Sequence, residues 1–372
     1  MSRAARASVW VTTIVVLGFL PLVAIVVIFL NVVRGGKVTD FENVFLEAAQ
    51  AVADGESPYP SPDAAVVALG KAYVYPPLTA FAGLPLTFLS TQAAGLVMMA
   101  LLSAAVVGTL FLLGVRDWRC YGIAFLWSPV LSAIQTGNIT ILLGLGAAVT
   151  WRFRDNARAA GASLGVSLAA KLILWPLVLW LVVTRRARVT AYALGICVAA
   201  VLIPWAVIGF AGLADYPELL RQLQEIERTQ GYTVYALALD LGASATIAGV
   251  LWIAFAVVLL AGVVALGRRG DDRRAFVLAI AAALACSPIV WLHYFAFLLV
   301  AVAVAQPRLG PAWFVPLLMY VSTGTHNGTT LQTFATIAAA ALTIAVALRF
   351  TSTPLPVVRL GTPASVGLRG SS

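Results

Sequence analysis

Residues 152–188 read "RFRDNARAAGASLGVSLAAKLILWPLVLWLVVTRRAR". Two arginine clusters enclose a run of 26 residues, 159 to 184, with Lys171 near its centre and Pro176 shortly after it. A helix needs about 20 apolar residues to cross the hydrocarbon core, and two full spans need about 40. If both arginine clusters face the cytoplasm, as the positive-inside rule asks, the chain must go out and come back between them. The stretch therefore predicts two short or tilted helices whose turn, at Lys171, sits within membrane depth. A polar turn at that depth survives only when it is buried in protein or lines a wet cavity.

The rest of the chain supports a membrane setting. Of its 372 residues, 61% are hydrophobic and 10% charged, and the mean hydropathy is +0.96, far outside the range of soluble domains. Apolar runs extend from Val9 almost to Phe350, apolar on every face, which excludes a β-barrel and predicts an all-α polytopic protein. The first run, Val9 to Val33, is too long for a signal-peptide core and lacks a small-x-small site, so it reads as an uncleaved span. A formal net charge of +9 might suggest nucleic acid, but the basic residues cluster at 3–6, 116–119, 152–158, 185–188, 268–274, 308 and from 349 onward. Such clustering records orientation and excludes a nucleic-acid partner. Eighteen of the 24 basic residues fall in these clusters, against only Asp117, Asp155, Asp271 and Asp272 of the 15 acidic ones. Residues 34–76 and 211–235 are thus expected to be outer loops, with residues 1–350 forming a single domain and 351–372 a flexible cytoplasmic tail. Cys120, Cys197 and Cys286 show no metal-type spacing and read as small core residues.

A second short pair repeats the logic of the first. Between Arg119 and Arg152 lie 32 residues with "QTGN", 135–138, near their middle, so this turn too is expected within the membrane. The first outer loop carries an amphipathic pattern, Phe41, Val44, Phe45, Ala48, Ala49 and Val52, predicted to lie along the membrane surface. A second juxtamembrane helix is expected within residues 71–90. Counting onward gives about twelve crossings.

The outward polar residues come from distant parts of the chain: Asp40, Tyr73 and Tyr75, Gln135 and Asn138, Lys171, His293 and Tyr294, and His326. Ionisable groups in or near spans are costly unless paired or wetted, which makes them candidates for function. Each also has a plainer reading. Asp40, in "TDFEN", either faces a cavity at the end of the first span or caps the helix that follows. Lys171 is a ligand for an anion such as phosphate or a snorkelling side chain. His293 is a working or a core histidine, and His326, in "THNGTT", sits in an outer turn that has an ordinary loop as its alternative. Asn138 and Asn327 both match the N-x-T sequon. No P-loop, GxGxxG turn, zinc ligand set or nucleophile elbow is present in the sequence.

Five motifs in order, "DFENVFLEAAQAVADGESPY" (40–59), "YVYPPL" (73–78), "QTGNITILL" (135–143), "LAAKLILWPLVLW" (168–180) and "SPIVWLHYF" (287–295), resemble the polytopic GT-C glycosyltransferases that take sugars from polyprenyl phosphates. Within that class the chain is most similar to glycosyltransferase family 87. The resemblance implies a polyprenyl phosphate mannose donor, a lipid-linked glycan acceptor and an active site at the outer face of the plasma membrane. It also implies an inverting reaction with no metal or other cofactor, and a catalytic aspartate in the first outer loop, carried over to Asp40. Members of actinobacterial type elongate phosphatidylinositol mannosides and related lipoglycans. Histidine often occupies both positions held here by His293 and Tyr294. With a phosphate as leaving group, Lys171 and His293 become its expected contacts, and Tyr73, Tyr75, Gln135, Asn138, Tyr294 and His326 the expected substrate-binding residues. The competing class is a secondary transporter or lipid flippase, which broken helices and a midplane lysine also suit. It predicts inverted repeats, which the sequence does not show, and gives no reason for a long outer loop rich in Asp, Tyr and Pro.

Overall fold

The computed structural model describes residues 3–70, 72–322 and 324–351; the tail expected at 351–372 lies, apart from Thr351, outside them. Among the described residues the fold is all helical, with no strand. Five helices are long and apolar enough to cross a membrane: α1 (Ala5–Val33), α4 (Thr91–Leu112), α9 (Ala187–Val207), α11 (Ala245–Arg268) and α14 (Thr330–Phe350). The labels between these belong to shorter helices. Between α1 and α4, Phe41–Leu46 runs into α2 (Glu47–Ala53), followed by α3 (Leu78–Gly83). Then come α5 (Ser128–Thr136), α6 (Thr140–Arg152), α7 (Ala157–Ala170), α8 (Pro176–Val183), α10 (Tyr216–Glu227), α12 (Asp272–Ala285) and α13 (Leu298–Ala305). This architecture fits a polytopic membrane protein. By length and composition the spans number five, or six if the bent pair α5–α6 counts as one. The larger number read from the sequence includes the shorter helices.

The apolar windows of α1, α9 and α11 are only 11% to 17% buried, so their flanks face outward, as expected for lipid-facing helices. At the centre stands α13, every residue of which is buried. Two breaks in this helical mass place the site. Gly137 ends α5 with φ of +73°, and the chain turns through 117° into α6. A Cβ at Gly137 would also lie 2.5 Å from both Val38 and Phe41, so glycine is needed for the turn and for the approach of the segment that follows α1. Lys171 ends α7 in an extended conformation, φ −162°, before Pro176 opens α8.

At the other ends of these helices the arginine clusters converge. Asp272 Oδ1 accepts from Trp180 Nε1 at 2.8 Å and Arg186 Nη1 at 2.9 Å, and Oδ2 accepts from Arg154 Nε and Arg186 Nη2, both at 2.9 Å. Arg186 also donates to Asp155 at 3.2 Å. Asp155 and Arg186 flank the 26-residue run, so the chain between them leaves one end of the molecule and returns to it, in agreement with the out-and-back path expected from the arginine spacing.

Candidate active site

The two breaks and the segment that follows α1 meet around one cavity of about 490 Å³. Asp40, Asn138, Lys171, Tyr75 and Tyr294 line it, five residues from four separate parts of the chain. α7 and α12 are each 14 residues long, start at the arginine knot and end at Lys171 and at Cys286, both lining residues. At 1.5 Å per residue the cavity lies about 21 Å from the knot.

Asp40 sits where the segment that follows α1 turns into helix. Its carboxylate makes no capping bond; that role falls to Glu42, whose Oε1 accepts from the Val38 amide at 2.8 Å. The cap reading of Asp40 therefore does not hold. Its carboxylate instead accepts from Asn138 Nδ2 at 2.9 Å. Asn138 is itself fixed, because its Oδ1 accepts from the Thr140 amide at 3.1 Å and the Thr140 hydroxyl at 2.7 Å. Asn138 thus holds Asp40 in place from behind. Burial pushes the Asp40 carboxyl above the ordinary carboxylate range, opposed by the Asn138 hydrogen bond and the Lys171 charge. Asp40 keeps 28% of its side-chain surface exposed, so the carboxylate is constrained yet reachable.

Lys171 Nζ donates to Tyr294 and, at 3.4 Å, to the Tyr75 hydroxyl, and it stands 3.9 Å from the centre of the Tyr294 ring. Tyr75 packs at 4.8 Å on Phe45 of the loop helix. His293 is fully buried, with Nε2 3.9 Å from Asp40 Oδ2, too far for a hydrogen bond, and neither ring nitrogen has a partner. A buried imidazole with two open nitrogens costs free energy unless something else bonds to it.

Four of the residues expected at the site do not line the cavity, His293 among them, which lies sealed in the core beside Asp40. Tyr73 does not line the cavity. Its hydroxyl donates to the Pro76 carbonyl at 2.7 Å and accepts from the Ala80 amide at 3.2 Å, bracing the turn that presents Tyr75. Gln135 is exposed and off the cavity, one position before buried Thr136 on a helix whose next residue faces another way. His326 is exposed too and touches the site through Trp291, a lining residue 4.6 Å from it ring to ring.

The structure adds a wall that the sequence reading did not assign. α10, in the segment between α9 and α11, covers the cavity with Tyr216, Leu220, Leu223, Gln224 and Glu227. Its signal was available as helical spacing: Tyr216, Leu219, Leu220 and Leu223 recur at three and four residues, followed by Glu227 four further on. Among the described residues no three His, Cys, Asp or Glu side chains are grouped so as to hold a metal ion.

A profile of glycosyltransferase family 87 matches residues 73–293, more than half of the chain, and spans the lysine turn, the Gly137 turn and the wall helix. Comparison with curated proteins and with solved structures gives no match. The chain belongs to glycosyltransferase family 87, and its membrane-capable helices accord with a membrane glycosyltransferase.

Proposed function

From this membership we propose that the protein moves a sugar, mannose, from a polyprenyl phosphate to a hydroxyl of a lipid-linked glycan, with inversion, at the outer face of the plasma membrane. The observation that carries the reading is one cavity in which a carboxylate, Asp40, and an ammonium group, Lys171, sit at breaks between apolar helices. Apolar side chains such as Leu172, Ile173 and Ile289 complete the lining, which suits a lipid-anchored substrate.

In the transfer, the acceptor oxygen bonds to the anomeric carbon as the bond from that carbon to the phosphate oxygen breaks. The hydroxyl proton passes to Asp40, whose raised proton affinity makes it a better base than a solvated aspartate. The electron pair leaves with the polyprenyl phosphate, and Lys171 offsets the added negative charge. His293, buried beside Asp40 with open ring nitrogens, is the second donor-side group. Direct attack needs no second carboxylate as nucleophile. The outer location rests on the charge bias of the loops, and a depth of about 21 Å above the arginine knot is consistent with it. About twelve crossings, the shorter helices going across in pairs, belong to the same proposal.

The test is a pair of assays on purified protein in proteoliposomes: transfer of labelled mannose from a polyprenyl phosphate donor to extracted membrane glycolipids, and movement of the same donor between leaflets. Transfer without donor movement is expected. Donor movement without transfer would replace the reading with that of a flippase.

A further inference from the structure

Glu227 is the second carboxylate of the cavity and the transfer chemistry does not use it. It stands in the last turn of α10, where a negative charge opposes the helix dipole, and Arg228, which caps that helix, is turned to the hydroxyl and ring of Tyr235. Its Oε2 is buried without a hydrogen-bond partner, and burial raises its carboxyl above the ordinary glutamate range. Among the described residues no hydrogen-bond partner explains this placement. Gly70, with φ of +68°, leaves the carboxylate its room, since a Cβ there would lie 1.9 Å from Oε1. Glu227 is also near enough to Tyr294 for its charge to be felt there, so Tyr294 stands between the fields of two carboxylates, Asp40 and Glu227.

The charges of the cavity are sorted. Lys171 is the one cation among the described lining residues, and it lies beside Asp40, Tyr75 and Tyr294. The wall formed by α10 offers no cation. It offers instead an aromatic ring at Tyr216, apolar surface at Leu220 and Leu223, an amide at Gln224 and the open carboxylate. A phosphate would be repelled there, whereas a neutral polyol gains hydrogen bonds from its hydroxyls to the carboxylate and amide, with its C–H face against the ring and leucines.

We infer that Glu227 forms a subsite on α10 for the hydroxyls of the acceptor sugar, separate from the phosphate end of the cavity at Lys171. The inference rests on the transferase reading. It makes Glu227 a specificity-determining residue that fixes which acceptor hydroxyl is turned toward Asp40.

Two probes test it by equilibrium binding to the full-length protein in detergent: octyl mannoside for the polyol end and decaprenyl phosphate for the phosphate end. Glu227→Gln keeps the shape and removes the charge. It is expected to weaken octyl mannoside about tenfold, the loss of one charge-assisted hydrogen bond, with decaprenyl phosphate affinity within twofold of wild type, which also shows that the variant is folded. Equal octyl mannoside binding by the two proteins, or none by either, overturns the inference, as does a weakening confined to decaprenyl phosphate. Failure of the wild type to bind decaprenyl phosphate would count against the transferase reading, and the octyl mannoside comparison would still decide the role of Glu227.

Discussion

The arginine knot and the cavity are both charge clusters built at the ends of the same short helices, and they differ in how completely their hydrogen bonds are made. At the knot, Asp272 accepts four N–H groups from Arg154, Trp180 and Arg186, with Trp151 beneath the Arg154 guanidinium at 4.3 Å. At the cavity, Asp40 accepts a hydrogen bond from Asn138, with the Thr136 hydroxyl close enough to favour its charged form, while neither ring nitrogen of His293 has a hydrogen-bond partner. Buried polar groups in native proteins are nearly all paired, so a local excess of unpaired ones marks a place where something else binds. The knot has its hydrogen bonds made; the cavity leaves buried polar groups without partners.

Changing each cluster in turn sharpens the contrast. Lys171→Met should lower kcat/KM for the polyprenyl phosphate donor about 100-fold, because it removes the charge that meets the leaving phosphate. Initial rates at several donor concentrations would show this, and an unchanged value would make Lys171 a structural cation like the arginines of the knot. Asp272→Ala should act the other way, on the fold. It strands Arg154 and Arg186, which keep only 30% and 16% of their side-chain surfaces exposed, at a cost of about 2 kcal/mol. A melt of the purified protein should move down while the donor KM of the remaining folded fraction stays put. If KM changes and the melt does not, the division between scaffold and site fails.

Asn138→Ala tests the support of the base, with a smaller expected loss of about tenfold in turnover. It also carries a pH signature. The Asn138 hydrogen bond favours the charged carboxylate, so its loss lets burial raise the Asp40 carboxyl further. A base must be ionised, so activity falls as pH drops through that value, and the acid limb of the kcat/KM profile should move to higher pH in the variant. An acid limb that stays where it is would separate Asn138 from the titrating group.

Much of this contrast was legible in the sequence because both clusters follow from one length argument. Runs of 26 and 32 residues between arginine clusters are too short for two full spans, so Lys171 and "QTGN" had to turn inside. Burial of the turns then drew Asp40, Asn138 and Lys171 together. Side-chain direction was less legible: Gln135 and Thr136 are neighbours in sequence, and only the rotation of α5 decides that Thr136 is buried and Gln135 exposed. Tyr73 resembles Tyr75 on paper, but its hydroxyl is consumed by the Pro76 and Ala80 backbone. The cap at the loop helix went to Glu42 instead of Asp40 because the Asn138 amide competes for the aspartate. The wall helix α10 was hidden in a loop defined only by its charge, and Glu227 with it.

The most direct test of the account is transfer by Asp40→Asn, with Glu42→Gln and Glu47→Gln beside it. Asparagine matches the shape of aspartate, and no cap is lost, since Asp40 makes none. A carboxyl raised by burial stabilises the fold below its unfolded value and loses that contribution as pH rises through its folded value, so at neutral pH the ionised form is a burden. Asp40→Asn should therefore melt no lower than wild type, and by relieving that burden about 2 °C higher. It should bind decaprenyl phosphate normally and transfer mannose more slowly by about 10² to 10⁴, while the two glutamate variants stay within a few-fold of wild type. Near-normal transfer by a stable Asp40→Asn protein would contradict the assignment of Asp40 as the base and, with it, the reading of the cavity as the site of transfer.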